Sequence, residues 1–176
     1  MALLKAILGS LIGCVALVFT ASLANAGAVR VGDKLPAATL TDWEGTAVQL
    51  VAPPAGVMVV DFWASWCEAC RAALPELNAI GERYAANGLH VVAVNIDKAP
   101  APADAFLRTY VSAPAMTLLR DPGGGILARY GASGMPALYV IDQAGVVRLV
   151  ESGFTVEKLR AVEALVAKLL NRGDNP

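Results

Sequence analysis

An apolar run over residues 57–64, Val57-Met58-Val59-Val60-Asp61-Phe62-Trp63-Ala64, is separated by Ser65 and Trp66 from Cys67-Glu68-Ala69-Cys70. A half-exposed strand alternates apolar and polar side chains. This run does not, so it should be a central strand buried on both faces. From Cys67 the pattern becomes helical to about Asn87, with Gly88 as its stop and Pro75 inside, where a missing N–H and a ring clash should kink the helix. Residues 89–95 then give a second apolar strand, completing a right-handed βαβ unit. The cysteine pair therefore falls where a buried strand hands over to a helix. Two cysteines one turn apart can close a small disulfide there. The helix N-terminus favours a thiolate, because its unpaired N–H groups and macrodipole attract negative charge. A Cys-x-x-Cys beside a βαβ pattern signals redox chemistry. A static disulfide or half a zinc site would need partners, and the chain offers one further cysteine, Cys14, and one histidine, His90, which reads as structural at a strand start.

The remaining elements follow from turn residues and periodicity. Residues 38–40 and 46–50, separated by Asp42-Trp43-Glu44-Gly45, predict an N-terminal hairpin. Pro100 and Pro102 open a helix reaching Tyr110, and residues 115–119 are expected to extend the sheet. Two glycine-rich loops, at Gly123-Gly124-Gly125 and from Gly131 to Gly134, flank a short helical turn. Residues 137–141 and 146–150 make an antiparallel hairpin across Asp142-Gln143-Ala144-Gly145. A last helix from Val156 to Leu170 carries Leu159, Val162, Leu165, Val166 and Leu169 as a stripe that packs on the sheet.

With 176 residues, 56% of them hydrophobic and 16% charged, the chain suits one domain and a targeting segment. Lys and Arg total 14 against 15 acidic residues, without a basic cluster, so charge makes no case for nucleic acid. Lys5 precedes an apolar run over residues 6–24, and Ala24-Asn25-Ala26 fits a small-x-small cleavage site. Residues 1–26 thus read as a signal peptide preceding a domain over 27–176. The run approaches the length that spans a bilayer, so an uncleaved N-terminal membrane anchor is the alternative. Leu11-Ile12-Gly13-Cys14 also resembles a bacterial lipobox, although the apolar region continues past it. Every one of these readings exports the domain to the periplasm, where a dithiol works only if its redox state is continually reset.

The order βαβ, helix, ββα resembles the thioredoxin fold, an α/β architecture with a central mixed sheet flanked by helices. The resemblance is carried by Val31-Gly32-Asp33 with Pro36, by residues 62–71 around the cysteine pair, by Pro75, by Val94-Asn95-Ile96-Asp97, and by Gly134-Met135-Pro136 before a strand. Together they make the chain similar to exported thioredoxin-like thiol-disulfide oxidoreductases of the TlpA/ResA type. The N-terminal hairpin and the extra helix/strand insertion resemble that subgroup rather than minimal thioredoxins.

The resemblance implies that Cys67 attacks a substrate disulfide and that Cys70 resolves the mixed disulfide. It also implies a cis bond at Met135-Pro136, which would offer the backbone of Met135 to an extended substrate, with Trp66 shielding the site and Trp63 either shielding it or packing in the core. Asp61 matches the thioredoxin pattern of an acid beneath the dithiol, where many TlpA/ResA-like chains carry a neutral residue. A buried carboxyl has a raised pKa and could accept the Cys70 proton. Ala73 stands where many relatives have glutamate, Ala69 replaces a common proline, and Glu68 places a negative charge that opposes the thiolate. No cofactor or metal is implied. The implied partners are an exported thiol or disulfide protein such as apocytochrome c and a membrane electron donor of the dithiol-relay type, with the chain acting as a reductant. Two other readings use the same residues. A thiol peroxidase shares the fold, but the chain lacks a Pro-x-x-x-Thr-x-x-Cys context. A copper-binding or metallochaperone module would use both thiolates, but no methionine or histidine lies near them in sequence.

Overall fold

The structure, a computed structural model, describes residues 27–111 and 113–173. The signal, anchor and lipobox readings, with Cys14, lie outside the described residues. Strands β1 (Ala38–Thr41) and β2 (Ala47–Leu50) pair antiparallel around a turn in which the Asp42 carboxylate accepts from the backbone N–H groups of Glu44 and Thr46, at 3.0 and 2.7 Å. Strand β3 (Val57–Trp63) is buried along its whole length, as its unbroken apolar run requires. Helix α1 (Glu68–Tyr84) continues through Pro75. Its end differs from expectation, because residues 85–87 tighten into a 3-10 turn before Gly88, which takes the left-handed conformation at φ 92°. Strand β4 (Leu89–Asn95) and helix α2 (Pro100–Tyr110) occupy the expected residues.

Strand β5 (Thr117–Arg120) starts two residues later than expected. The reason is local: the Ala115 N–H donates to Asn78 Oδ1 of α1 at 2.7 Å, so this backbone serves the helix rather than the sheet. Helix α3 (Gly125–Tyr130) absorbs Gly125, which the sequence placed in a loop, because the Asp121 carboxylate accepts from the N–H groups of Ile126 and Leu127 at 2.8 and 3.1 Å. Strands β6 (Ala137–Ile141) and β7 (Val147–Ser152) form the last hairpin, its register shifted between Val140 and Ile141. In α4 (Val156–Gly173) the buried stripe is Leu159, Val162, Val166 and Leu170, with Leu165 and Leu169 half-buried beside it.

The seven strands follow the order β2-β1-β5-β4-β3-β6-β7. Parallel β4 and antiparallel β6 flank β3, so β3 is the centre of a mixed sheet. Met58, Val60 and Phe62 face one layer with Tyr130 of α3, where Phe62, Tyr130 and Tyr139 meet edge to face. Val57 and Val59 face Leu77 and Ile80 of α1 and the α4 stripe. Trp63 joins this second face in a cluster with both cysteines, Leu74, Phe106 and Leu107. Each fully buried aliphatic or Phe side chain here contributes about 1.5–3 kcal/mol relative to exposure. One glycine is imposed by a close approach: a Cβ on Gly56 would stand 2.1 Å from the Gly88 carbonyl oxygen, which accepts from Val57 N–H. Topology and layers are those of the thioredoxin fold, with the hairpin extension and the α2/β5 insertion in place.

Candidate functional site

The parallel register Trp63↔Asn95 brings the ends of β3 and β4 side by side, and the chain leaves β3 toward α1 through a single turn. In that turn Cys67 N–H donates to the Ala64 carbonyl at 3.1 Å. Cys67 is the N-cap of α1, with extended backbone at φ −82° and ψ 105°, and its sulfur accepts from Cys70 N–H at 3.2 Å. A donor aimed at sulfur at a helix N-terminus is the arrangement that stabilises a thiolate. The two cysteines are joined as a disulfide with Cα atoms 5.2 Å apart. They are not equally reachable: Cys67 is 7% exposed and Cys70 is fully buried.

Outside the dithiol lies an open, largely apolar depression of about 460 Å3 lined by Trp66, Cys67, Glu68, Ala69, Gly134 and Met135. The structure thus brings Trp66, Met135 and the Met135–Pro136 peptide, which is cis, to the same mouth as Cys67. Trp66 is 66% exposed there. Trp63, by contrast, is fully buried in the core beneath and packs on Phe106 at 4.9 Å between ring centroids. Glu68 is paired with Arg71 one turn on, at 2.7 Å, so the negative charge beside Cys67 is partly balanced. His90 is exposed on β4 opposite Met58, toward the far end of the sheet from Cys67, and lines a separate depression with Gly56 and Gly88. Ala73 is buried on α1. Among the described residues no group of three or more His, Cys, Asp or Glu side chains gathers as a metal-ligand set.

Asp61 lies in β3 between Ala93 of β4 and Leu138 of β6. Alternation puts its side chain on the same face as Val59 and Trp63, the face that α1 covers with Cys70. It is 1% exposed, and among the described residues neither carboxyl oxygen has a hydrogen-bond partner. Burial therefore pushes its pKa well above the ordinary value.

A second polar group, whose role sequence reasoning missed, lies beside the turn. Asp97, 5% exposed, accepts from Ser65 N–H at 2.9 Å and from Ser65 Oγ at 3.0 Å. Asn95 Nδ2 donates to the same carboxylate at 2.8 Å, and Asp97 N–H donates back to Asn95 Oδ1 at 3.1 Å. The available signal was two polar residues, Asn95 and Asp97, at the end of an otherwise apolar strand.

These features can be set beside known proteins. Residues 31–150 match the AhpC/TSA family. The chain is 26% identical over 132 residues to the thiol-disulfide oxidoreductase ResA of Bacillus thuringiensis subsp. konkukian, covering 74% of this chain and 75% of that protein. It is 36% identical over 89 residues to the thiol:disulfide interchange protein HelX of Rhodobacter capsulatus, covering 51% and 48%. The crystal structure of a Chlorobium tepidum protein assigned as the thiol:disulfide interchange protein DsbE superposes with a TM-score of 0.74 at 36% identity, covering 81% of this chain and 99% of that one. With a match across most of the described domain and a dithiol at the mouth of a thioredoxin fold, the chain belongs to the AhpC/TSA family.

Proposed function

We propose that this protein is a thiol-disulfide oxidoreductase in which Cys67 is the attacking thiol and Cys70 the resolving one. The observation that carries the reading is the asymmetric dithiol: a disulfide at the N-terminus of α1 of which only Cys67 reaches the depression. In the reducing direction, the Cys67 thiolate attacks a substrate disulfide, forming a mixed disulfide and releasing one substrate thiolate. Cys70, as a thiolate, then attacks the Cys67 sulfur, closing the protein disulfide and releasing the second substrate thiolate. Two electrons pass to the substrate, and solvent protonates its thiolates. Asp61, with its raised pKa and its place on the α1 face, takes the Cys70 proton in the second step. Trp66 and Met135, which line the depression, hold an extended substrate segment along it, the Met135 backbone pairing with it as a strand would, while Pro136 is buried behind Met135 and fixes that backbone.

The apolar segment before Ala26 supports export, and the resemblance to the TlpA/ResA type supports a periplasmic reductant of Cys proteins such as apocytochrome c, recharged by a membrane dithiol donor. The test is reduction of a disulfide-bonded protein by the reduced enzyme, with trapped complexes identified by mass spectrometry. Cys67→Ser should abolish reduction, whereas Cys70→Ser should still attack and accumulate mixed disulfides through Cys67. Adducts formed mainly through Cys70 would reverse the roles. Faster turnover of peroxide than of disulfides would favour a peroxidase instead.

A further inference from the structure

The turn that delivers Cys67 to α1 is held from outside. Residues Ala64, Ser65, Trp66 and Cys67 make a β-turn closed by Cys67 N–H on the Ala64 carbonyl, so Ser65 is its first corner. Both polar groups of that corner, the backbone N–H and the hydroxyl, are taken by the two oxygens of Asp97. Asp97 is fixed in turn: Asn95 exchanges two hydrogen bonds with it, and Arg120 Nη2 donates to its carbonyl at 3.1 Å. Arg120 sits in β5, where Thr41 of the N-terminal hairpin is its strand partner, and its guanidinium lies 5.8 Å from the centre of the Trp43 ring. Trp43 Nε1 is anchored to Asp104 of α2 at 2.6 Å. The hairpin and the α2/β5 insertion thus form a continuous polar brace that ends on the residue two before Cys67.

We infer that Asp97 is a positioning residue for the dithiol: it clamps the corner of the turn so that Cys67 is held in the extended cap conformation in which Cys70 N–H points at its sulfur. The inference rests on Cys67 being the attacking thiol. With the clamp removed, the corner relaxes, the sulfur loses its donor for part of the time, and the thiolate is less stable. The alkylation midpoint of Cys67 should then rise in pH. The disulfide should become favoured over the dithiol, giving a more negative midpoint potential. A carboxylate acting only as a nearby negative charge predicts the opposite sign, since removing it would ease thiolate formation. The other ionisable groups on elements packed around the turn, Glu68, Cys70 and Arg71 in α1, Asp61 in β3, Lys98 after β4, Asp104 in α2, Arg120 in β5 and Asp121 after it, are all kept in the variants.

The experiment is alkylation of the reduced protein across pH, with the modified cysteine identified by mass, alongside redox titration against glutathione. The wild type, Asp97→Asn and Ser65→Ala are compared. Asp97→Asn should raise the midpoint by about one pH unit, slowing alkylation below the midpoint about tenfold, with the potential moving more negative. Ser65→Ala keeps the N–H bond and should give about half that shift, since one of two clamping bonds remains. A folded Asp97→Asn protein with an unchanged or lowered midpoint overturns the clamp, even if it melts earlier. Should Asp97→Asn fail to fold, an unmoved midpoint in Ser65→Ala overturns it alone. Wild-type alkylation falling first on Cys70 would instead refute the assigned attacking thiol, so the two failures are told apart.

Discussion

A single ionisable side chain, Asp61, brings a pH dependence into the middle of the sheet. Both its oxygens are buried without a partner among the described residues, and burial lifts its pKa well above the ordinary value. Between the unfolded and folded values the native state binds the extra proton, so stability should fall as pH rises through that window. Asp61→Asn removes the titration. Denaturant melts should find the variant more stable than wild type by about 1–3 kcal/mol at neutral pH, the gain vanishing in acid below about pH 4, where both side chains are neutral. Equal stability at neutral pH would mean that the cost of burying the carboxyl is offset by another interaction. The same variant should slow Cys70 resolution by about 10²–10⁴ while leaving Cys67 attack nearly unchanged, which stopped-flow measurement of the two steps can separate. Asp61 could be singled out in sequence because one carboxyl stood in an apolar run. Asp97 stood in sequence only as part of a family resemblance, and its role was not legible: its partner Ser65 is 32 positions away, and they meet because β3 and β4 pair with Trp63 opposite Asn95. That register is a property of two strands together and is written in neither.

Among the elements, the β6–β7 hairpin depends on one carboxylate. Asp142 accepts from the N–H groups of Ala144 and Val146, each at 2.9 Å, and from Arg148 Nε at 2.6 Å. Burial alone would raise its pKa, but the Val146 N–H, the Arg148 guanidinium and the Ala144 N–H outweigh burial and lower it. A lowered folded value means that its contribution is present above the unfolded pKa and is lost as pH falls through the folded one. Asp142→Ala should therefore cost about 1–3 kcal/mol at neutral pH and less once both states are protonated, when only the bonds a neutral carboxyl accepts remain to be lost. Thermal melts at neutral and acid pH would show it, and a pH-independent loss would assign the effect to turn geometry instead. Elements with a strong apolar pattern were legible in sequence, β4 and β6 to the residue and β3 to within one, since Ala64 belongs to the turn rather than the strand. Those whose ends are set by side chains from elsewhere, such as β5 through Asn78 and α3 through Asp121, were not.

Over the whole molecule, the segment before the hairpin ties distant parts together. Val29 N–H donates to the Tyr130 carbonyl, Gly32 N–H to Val147, Leu35 N–H to Gly145, and Val147 N–H to Asp33. Removing residues 27–36 should cost at least about 2–6 kcal/mol, counting only these four backbone bonds at about 0.5–1.5 kcal/mol each, without changing the disulfide-exchange rate of the folded fraction. An unshifted denaturation midpoint would sink this expectation. The placement of two tryptophans has an optical consequence. Trp63 shares a cluster with both cysteines, and Trp66 shares a mouth with Cys67. A disulfide quenches indole emission at close range, so opening it should brighten the protein's intrinsic fluorescence. The enzyme then carries its own electron counter, readable in real time without a label.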